Sequence, residues 1–412
     1  MKIAIFTDSY LPVINGVTFA VDKLAEKLSQ HHQVEIYAPA CKNSGWVERR
    51  GRVIIRRYAS VPIPTYKDIQ IAFPSFLSVY SSMDKFDPDI IHVHAPGTLG
   101  LLGVLLSKVM KKPLVGTYHT LYPETLMYVS PRRILAKYLK AIDRVTTGMG
   151  LDIKVLRNGD KQVDCSGVSK ETLPQKMTWT LVNRVYKYAD AIICPSEAIK
   201  RELVKRRVRK GVVAISNGLD VKKFWAKNNY RLRNRIVHVG RLGFEKNVEV
   251  VIRAFAIVLK QMPKVGLVIA GDGPAKKDLE ALCKSLGLEK KVRFLGMVKR
   301  DNLGWVYRDS DVFVTASTME TQGLVVLEAM ACGLPVVGVA AYALPDLIKS
   351  DENGFLVAAG DEKSMAEGLV KVLQDEQLRK RMGVLARKTA EGHDIEGVMK
   401  KTMDLYEKLV VK

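Results

Sequence analysis

Two glutamates stand eight positions apart in "TASTMETQGLVVLEAMACG", residues 315–333. A pair of carboxylates can serve as acid and base, or acid and nucleophile, in glycoside hydrolysis. Carboxylates can equally act as bidentate acceptors for sugar hydroxyls. The frame around Glu320 and Glu328 bears on that choice. "SDVFVTAS" reads as a strand and "GLVVLEAMACG" as a helix closing at Gly333, so Gly323 falls at the helix N-terminus. Free backbone N–H groups and the helix dipole favour an anion there. Apolar flanks (Leu324, Val325, Val326, Leu327, Ala329, Met330) argue against Glu328 as a solvated surface residue. Its simplest alternative is one capping and one exposed helical glutamate.

Three further stretches carry groups of the right kind. In "VGRLGFEKN", Arg241 and Lys246 follow a strand directly. Arginine offers a planar fork and lysine a point charge, a pairing suited to a diphosphate; the alternative is ordinary surface charge at a helix start. In "AGDGP", Gly271 and Gly273 permit a tight strand-to-helix turn, which is also all that a lone GxG requires. His119 follows the strand "PLVG". His92 and His94 share a strand face at i and i+2, but no partner ligands accompany them, and no metal site is expected.

The elements that must hold these groups alternate. "KIAIFTD", "QVEIYAP", "RVIIRRY", "DIIHVHAP", "PLVGTYHT", "ADAIICPS" and "GVVAIS" are strands, with helices between several of them, among them "FAVDKLAEKLSQH", residues 99–110 and one starting after Ser196, an N-cap. The plan repeats after a polar segment at 217–234, with "RIVHVGRL", "VGLVIAGDGP", "KVRFLGMV", "SDVFVTAS", "LPVVGVA" and "GFLVAAG" as strands. Strands separated by helices imply βαβ units, so the chain is α/β with two doubly wound Rossmann-like domains. Ligands of such sheets bind beyond the carboxyl ends of the strands, where the residues above fall. Residues 145–178 break the alternation; Asn158-Gly159-Asp160 marks a turn, and the segment reads as an insertion carrying a small β-hairpin.

The set of motifs resembles the retaining GT-B glycosyltransferases of family 4. Glu-x7-Glu in its strand-and-glycine frame carries the resemblance, together with "FTDSYLPVINGV", "GTYHT", "ISNGLDVKKF", "VRFLGMV" and "ENGFLV" in the same order. It spans nearly all 412 residues apart from the insertion. "ETQG", with Gln322 where the family usually has Phe or Tyr, and "TYHTLYPETLMY" are most similar to the diacylglycerol glucosyltransferase branch.

The resemblance implies a GT-B fold with two domains facing a central cleft. The N-terminal domain, 1–216, would bind the acceptor and the C-terminal domain, 217–390, the nucleotide sugar; a final helix, 391–412, would return to the N-domain. It implies that Arg241 and Lys246 contact the donor diphosphate and that Glu320 lies near the hydroxyls of the transferred sugar. Gly323 and Leu324, with Val325 and Gln322 beside them, would supply contacts there, and Glu328 would hold the ribose. His119 would face the reacting sugar, Gly16 would lie near phosphate and acceptor, and Gly271 and Gly273 would belong to the donor loop. Asp8 and Tyr10 fall in the same crevice with no transferable role. Front-face attack, with the leaving phosphate taking the acceptor's proton, needs no protein nucleophile, no metal and no cofactor. Asp309-Ser310-Asp311 resembles the metal motif of a different glycosyltransferase fold, but it precedes its strand and is set aside.

Net charge is +22, with +15 in residues 1–216 and +7 in the remainder. A basic surface suits an anionic partner. Nucleic acid is disfavoured, because no recognition module and no interleaved aromatics accompany the charge. "PRRILAKYLKAIDR" (131–144) reads as a basic amphipathic helix in which Arg132, Arg133, Lys137, Lys140 and Arg144 would face an anionic membrane and its lipid acceptor; an ordinary surface helix is the alternative. No signal peptide is visible, no apolar run approaches the length of a bilayer span, and five scattered cysteines suit a reducing compartment. The expectation is a cytoplasmic enzyme, peripheral on the inner membrane face. Its leading reaction is transfer of a hexose, glucose in the first instance, from a nucleotide sugar to diacylglycerol. A soluble sugar acceptor and a non-catalytic sugar-nucleotide binder stand as alternatives.

Overall fold

A computed structural model describes residues 1–13, 15–63, 66–120, 173–208 and 211–411. The chain forms two compact units. The first comprises 1–195, 200–215 and 399–412; the second comprises 196–199 and 216–398.

The first unit opens with β1 (Lys2–Phe6), α1 (Gly16–Leu28) and β2 (Gln33–Pro39), followed by β3 (Val47–Arg50), β4 (Val53–Tyr58), β5 (Ser60–Ile63) and β6 (Tyr66–Ala72). Next come α2 (Phe76–Phe86), β7 (Ile90–Val93), α3 (Thr98–Val109) and β8 (Leu114–Thr117), then α4 (Leu173–Tyr186), β9 (Ala191–Cys194), α5 (Glu197–Lys205, of which 200–205 belong to this unit) and β10 (Val212–Ala214). Among the described residues one sheet runs β10-β9-β8-β7-β1-β2-β4-β3. It is parallel except where β3 pairs antiparallel with β4. Ile3, Ala4, Ile5 and Phe6 are all buried. A parallel strand covered on both faces reads as an unbroken apolar run, which is why "KIAIF" shows no alternation. Asn15 caps α1 by accepting the Thr18 N–H at 2.9 Å. The short antiparallel β3 and the β5–β6 hairpin were not anticipated. Of the expected insertion at 145–178, residues 173–178 are helical and open α4, because "LPQKMTWTLVNRVY" continues without a turn residue. The rest of it lies outside the described residues, as do Arg132, Arg133, Lys137, Lys140 and Arg144.

The second unit comprises β11 (Arg235–Val239), α6 (Val248–Gln261), β12 (Gly266–Ala270), α7 (Lys276–Ser285), β13 (Val292–Gly296), α8 (Arg300–Arg308), β14 (Val312–Thr315) and α9 (Leu324–Ala331). It continues with β15 (Val336–Val339), α10 (Leu344–Leu347), β16 (Gly354–Val357), α11 (Glu362–Gln374) and α12 (Glu376–Glu391). Its parallel sheet runs β13-β12-β11-β14-β15-β16. The order reverses between β11 and β14, the switch point beyond which such sheets bind ligands. Residues 399–410 of α13 (Ile395–Val410) belong to the first unit. There the buried Tyr406 hydroxyl lies 2.6 Å from His92 Nδ1 on β7. No helix among the described residues is long and apolar enough to cross a membrane.

Candidate functional site

In the second unit the switch point brings the loop after β11 against the segment after β14. Lys246, in a short 3-10 turn, extends Nζ to 2.5 Å from Glu320 Oε1. The two side chains are 21% and 14% exposed, so the pair is largely withdrawn from water yet still reachable. Burial pushes the Glu320 carboxyl up, but the charge and hydrogen bond of Lys246 outweigh it and hold the group below its ordinary value. Asn247 fixes the same loop, its amide donating to the Ala316 carbonyl at 3.1 Å and to Thr318 Oγ1 at 3.2 Å. Arg241 stands partly exposed on this loop, 3.5 Å from Glu245.

His238 lies beneath, on β11. Its Nδ1 sits 2.9 Å from the Val314 carbonyl, which requires the proton on Nδ1 and leaves Nε2 an acceptor. Burial and nearby Lys246 lower its pKa to about 4, against the carbonyl bond and Glu320, so the ring is neutral at pH 7.

Gly271 and Gly273 have a packing role. A Cβ on Gly271 would fall 1.8 Å from the Gly240 carbonyl oxygen, and one on Gly273 2.5 Å from that of Leu242. Two backbones thus touch directly, with Leu242 N–H donating to Asp272 O and Ala275 N–H to Leu242 O. The GxG turn holds the loop that carries Arg241.

Gly323 adopts φ +81°, a left-handed conformation that lets the chain turn from Gln322 into α9. The first intrahelical bonds come from Val326 and Leu327 to the Gly323 carbonyl. The N–H groups of Leu324 and Val325 therefore stand ahead of the helix's own ladder, on the side where an anion is favoured. The Gln322 side chain is buried and points elsewhere: its carbonyl oxygen accepts the Asn217 N–H at 3.0 Å and its amide donates to Ser216 Oγ. It anchors the loop that opens the second unit.

Glu328, the second glutamate, is 3% exposed inside α9. Arg300 Nη2 lies 2.6 Å from Oε1, and the Tyr307 hydroxyl donates to Oε2 at 3.1 Å. Burial raises the Glu328 carboxyl above its ordinary range; Arg300 and Tyr307 oppose this without cancelling it. Neither partner on α8 was anticipated, because nothing in the spacing of "KRDNLGWVYR" announces a contact with a residue 28 or 21 positions away.

In the first unit, His92, His94 and His119 form a buried cluster. His94 Nδ1 is 2.8 Å from His119 Nε2, the His92 and His94 rings are 3.9 Å apart, and His92 Nε2 is 2.6 Å from Thr117 Oγ1. With Tyr406 on Nδ1, both ring nitrogens of His92 are engaged by hydrogen bonds. Burial lowers its pKa to about 3 and that of His94 well below the usual value. Among the described residues no group of three His, Cys, Asp or Glu is placed to hold a metal. Asp8 caps α3, accepting N–H bonds from Gly97, Leu99 and Gly100 at 3.1, 2.8 and 3.1 Å. Burial nonetheless raises it to about 6. Tyr10 is a core residue whose hydroxyl donates to Asp22 at 2.7 Å. Gly16 opens α1 with nothing within 4 Å of where a Cβ would stand, so packing does not demand a glycine there. Asp309 pairs with Arg233 and Arg235, and Asp311 accepts N–H bonds from both, which accounts for that pair of aspartates.

A family model described as "Glycosyl transferases group 1" matches residues 221–389, and one described as "Glycosyltransferase Family 4" matches 14–148 and 168–223. The alpha-monoglucosyldiacylglycerol synthase of Streptococcus pneumoniae is 30% identical over 371 residues, 86% of this chain and 75% of the relative. The enzyme of the same name from Acholeplasma laidlawii is 25% identical over 428 residues, 100% of this chain and 98% of its own. Among solved structures, Anabaena HepE in complex with UDP superposes with a TM-score of 0.71 at 20% identity, covering 99% of this chain and 100% of that one.

Proposed function

The chain belongs to the family 4 glycosyltransferases and has their GT-B fold, and from that premise we propose that it transfers glucose from a nucleotide diphosphate sugar to a membrane lipid such as diacylglycerol. In this reading the configuration of the sugar is retained and no metal takes part. The observation that carries it is the Lys246–Glu320 pair beside the start of α9. One cation, a second at Arg241 and the leading amides of α9 form a site for a departing diphosphate, while Glu320 offers a carboxylate to the sugar's hydroxyls.

Breaking the bond between sugar and phosphate places negative charge on the leaving oxygen. Fixed cations and aimed N–H groups stabilise that charge without reorganising. The acceptor hydroxyl attacks from the same face and its proton passes to the leaving phosphate. The roles of the two glutamates are then hydroxyl ligands: Glu320 for the sugar, Glu328 for the ribose. His119, held by His94, is assigned to the reacting sugar, and Gly16 to a place near phosphate and acceptor. The relatives named as glucosyldiacylglycerol synthases support the lipid acceptor, as does the excess of cations in residues 1–216. Such an acceptor calls for a peripheral position on the inner membrane face.

A donor panel tests the assignment: nucleotide release from UDP-glucose, UDP-galactose, UDP-N-acetylglucosamine and GDP-mannose, each with and without diacylglycerol. The expected result is lipid-dependent release from UDP-glucose. Release that is indifferent to lipid but stimulated by a soluble sugar removes the lipid acceptor and leaves the transferase.

A further inference from the structure

The second unit carries a concentration of charge that the donor site does not use. An open concavity of about 570 Å³ is lined by Lys227, Arg233, Arg235, Arg293, Arg308 and Trp305, among others. Arg235 begins β11, Arg293 is the second residue of β13, and Arg308 ends α8 just before β14. These cations gather at the amino ends of the strands, whereas Arg241, Lys246 and Glu320 follow the carboxyl ends. The concavity is therefore at the opposite end of the same sheet from the donor residues.

Its charge is unbalanced. Asp309 is the one carboxylate in the lining, and it is shared by Arg233 and Arg235. Lys227 spends its ammonium on the Ser310 carbonyl. Arg293 and Arg308 make no ion pair among the described residues; Arg308 instead lies 5.4 Å from the centre of the Trp305 ring. Four arginines in a concavity that holds one carboxylate leave cationic N–H groups over, the arrangement that binds phosphate oxygens through paired N–H groups.

A second observation narrows the class of anion. Trp225 and Trp305 are 62% and 63% exposed and meet edge to face at 6.3 Å. The exposed Lys222 and Lys223 precede Trp225 in the same turn. A small soluble anion would use the arginines and leave two large indoles in water. Indoles flanked by lysine and arginine are the side chains that settle at the headgroup level of a bilayer, with apolar rings inward and N–H groups in the wet layer.

We propose that this surface docks on anionic phospholipid, with a headgroup phosphate entering the arginine-lined concavity and Trp225 and Trp305 resting in the interface. It is a second membrane contact, carried by the donor-binding unit, and it does not depend on which acceptor or donor the enzyme uses.

The test uses the full chain and vesicles of phosphatidylglycerol or phosphatidylcholine, read by cosedimentation and by tryptophan emission. Selective, salt-weakened binding to phosphatidylglycerol with a blue shift is expected. Arg293→Ala/Arg308→Ala should weaken that binding about tenfold or more, and Trp225→Phe/Trp305→Phe should abolish most of the blue shift. Trp225, Trp305 and Arg293 are exposed and Arg308 is half-buried, and matched thermal midpoints check that the substitutions spare the fold. Undiminished binding of the arginine variant overturns the proposal, and so does a blue shift that survives loss of both indoles. A third arm titrates inorganic pyrophosphate. If pyrophosphate perturbs Trp305 emission in an Arg293- and Arg308-dependent way while vesicles do not bind, the site takes a soluble anion and the lipid assignment falls. Because binding is read without turnover, failure of the transferase reading leaves this result interpretable.

Discussion

Lys246 and Glu320 are 74 residues apart in sequence and 2.5 Å apart in the fold. Each makes the other affordable in a site where both are largely withdrawn from water: removing one partner leaves a desolvated charge. Lys246→Ala and Glu320→Ala should each lower turnover at least tenfold, about 1.4 kcal/mol of barrier. The double variant should fall well short of the summed losses, since the two act as a unit. Steady-state rates of the three proteins check both statements; unchanged rates in folded single variants refute the assigned roles.

Arg300 pairs with Glu328, the carboxylate proposed to hold the ribose. With Arg300 present the Glu328 carboxyl is already raised by burial. Without it, the carboxyl climbs further and takes up a proton closer to neutrality, losing its capacity to accept two hydroxyls. Arg300→Ala should raise the donor KM about tenfold, most strongly at the acid end of the range, with kcat changed less. Arg300→Lys should recover part of the loss. Donor KM measured from pH 6 to 8.5 decides this; a rise that is equal at all pH values points to misfolding of α8 rather than to the charge on Glu328.

Stability of the first unit should fall as pH drops below about 6.5. His92 and His94 are neutral when folded, with pKa values lowered by burial, and an unfolded histidine takes up its proton near 6.5. The unfolded chain therefore binds two protons that the folded unit excludes. Asp8 acts in the opposite sense: raised to about 6, it binds a proton in the folded state that the unfolded chain takes up only near 3.9. For these three groups the balance between about pH 4 and 6 is one proton, a slope of about 1.4 kcal/mol per pH unit. Asp8→Asn should roughly double the slope. Chemical denaturation at pH 5, 6 and 7 measures both.

Gly323→Ala places a Cβ at a left-handed φ, with Leu344 and Leu347 side-chain carbons at 3.4 Å. The strain should cost about 1–2 kcal/mol of stability. Because the same residue aims the leading amides of α9, the donor KM should rise as well. A thermal melt and donor kinetics on one protein test the two consequences together.

The sequence carried the strands and the ordered motifs well, because buried parallel strands are continuous apolar runs and each motif is local. "KIAIF" and "RIVHV" sit where the apolar pattern puts them. Arg241, Lys246 and Glu320 could be named because each lies in a local motif after a strand, and those motifs resemble a known family's. What stayed hidden are partners made by topology. Arg300 meets Glu328 only because α8 packs beside α9, and Tyr406 reaches His92 from 314 positions away. Gln322 was legible as an unusual residue before Gly323; its bonds to Ser216 and Asn217 were not. The cations at 227, 233, 235, 293 and 308 are scattered through the chain and become one surface only when the amino ends of the strands are aligned.

In the proposed reaction glucose is joined to a lipid hydroxyl with its anomeric configuration kept. The most direct measurement is an incubation of the full chain with UDP-glucose and diacylglycerol, followed by mass and proton NMR analysis of the extracted lipid. The expected product is a monoglucosyl lipid with an α-anomeric proton, absent when Glu320→Ala replaces the native enzyme. A β-linked product, or glucose recovered only as free sugar, would contradict it.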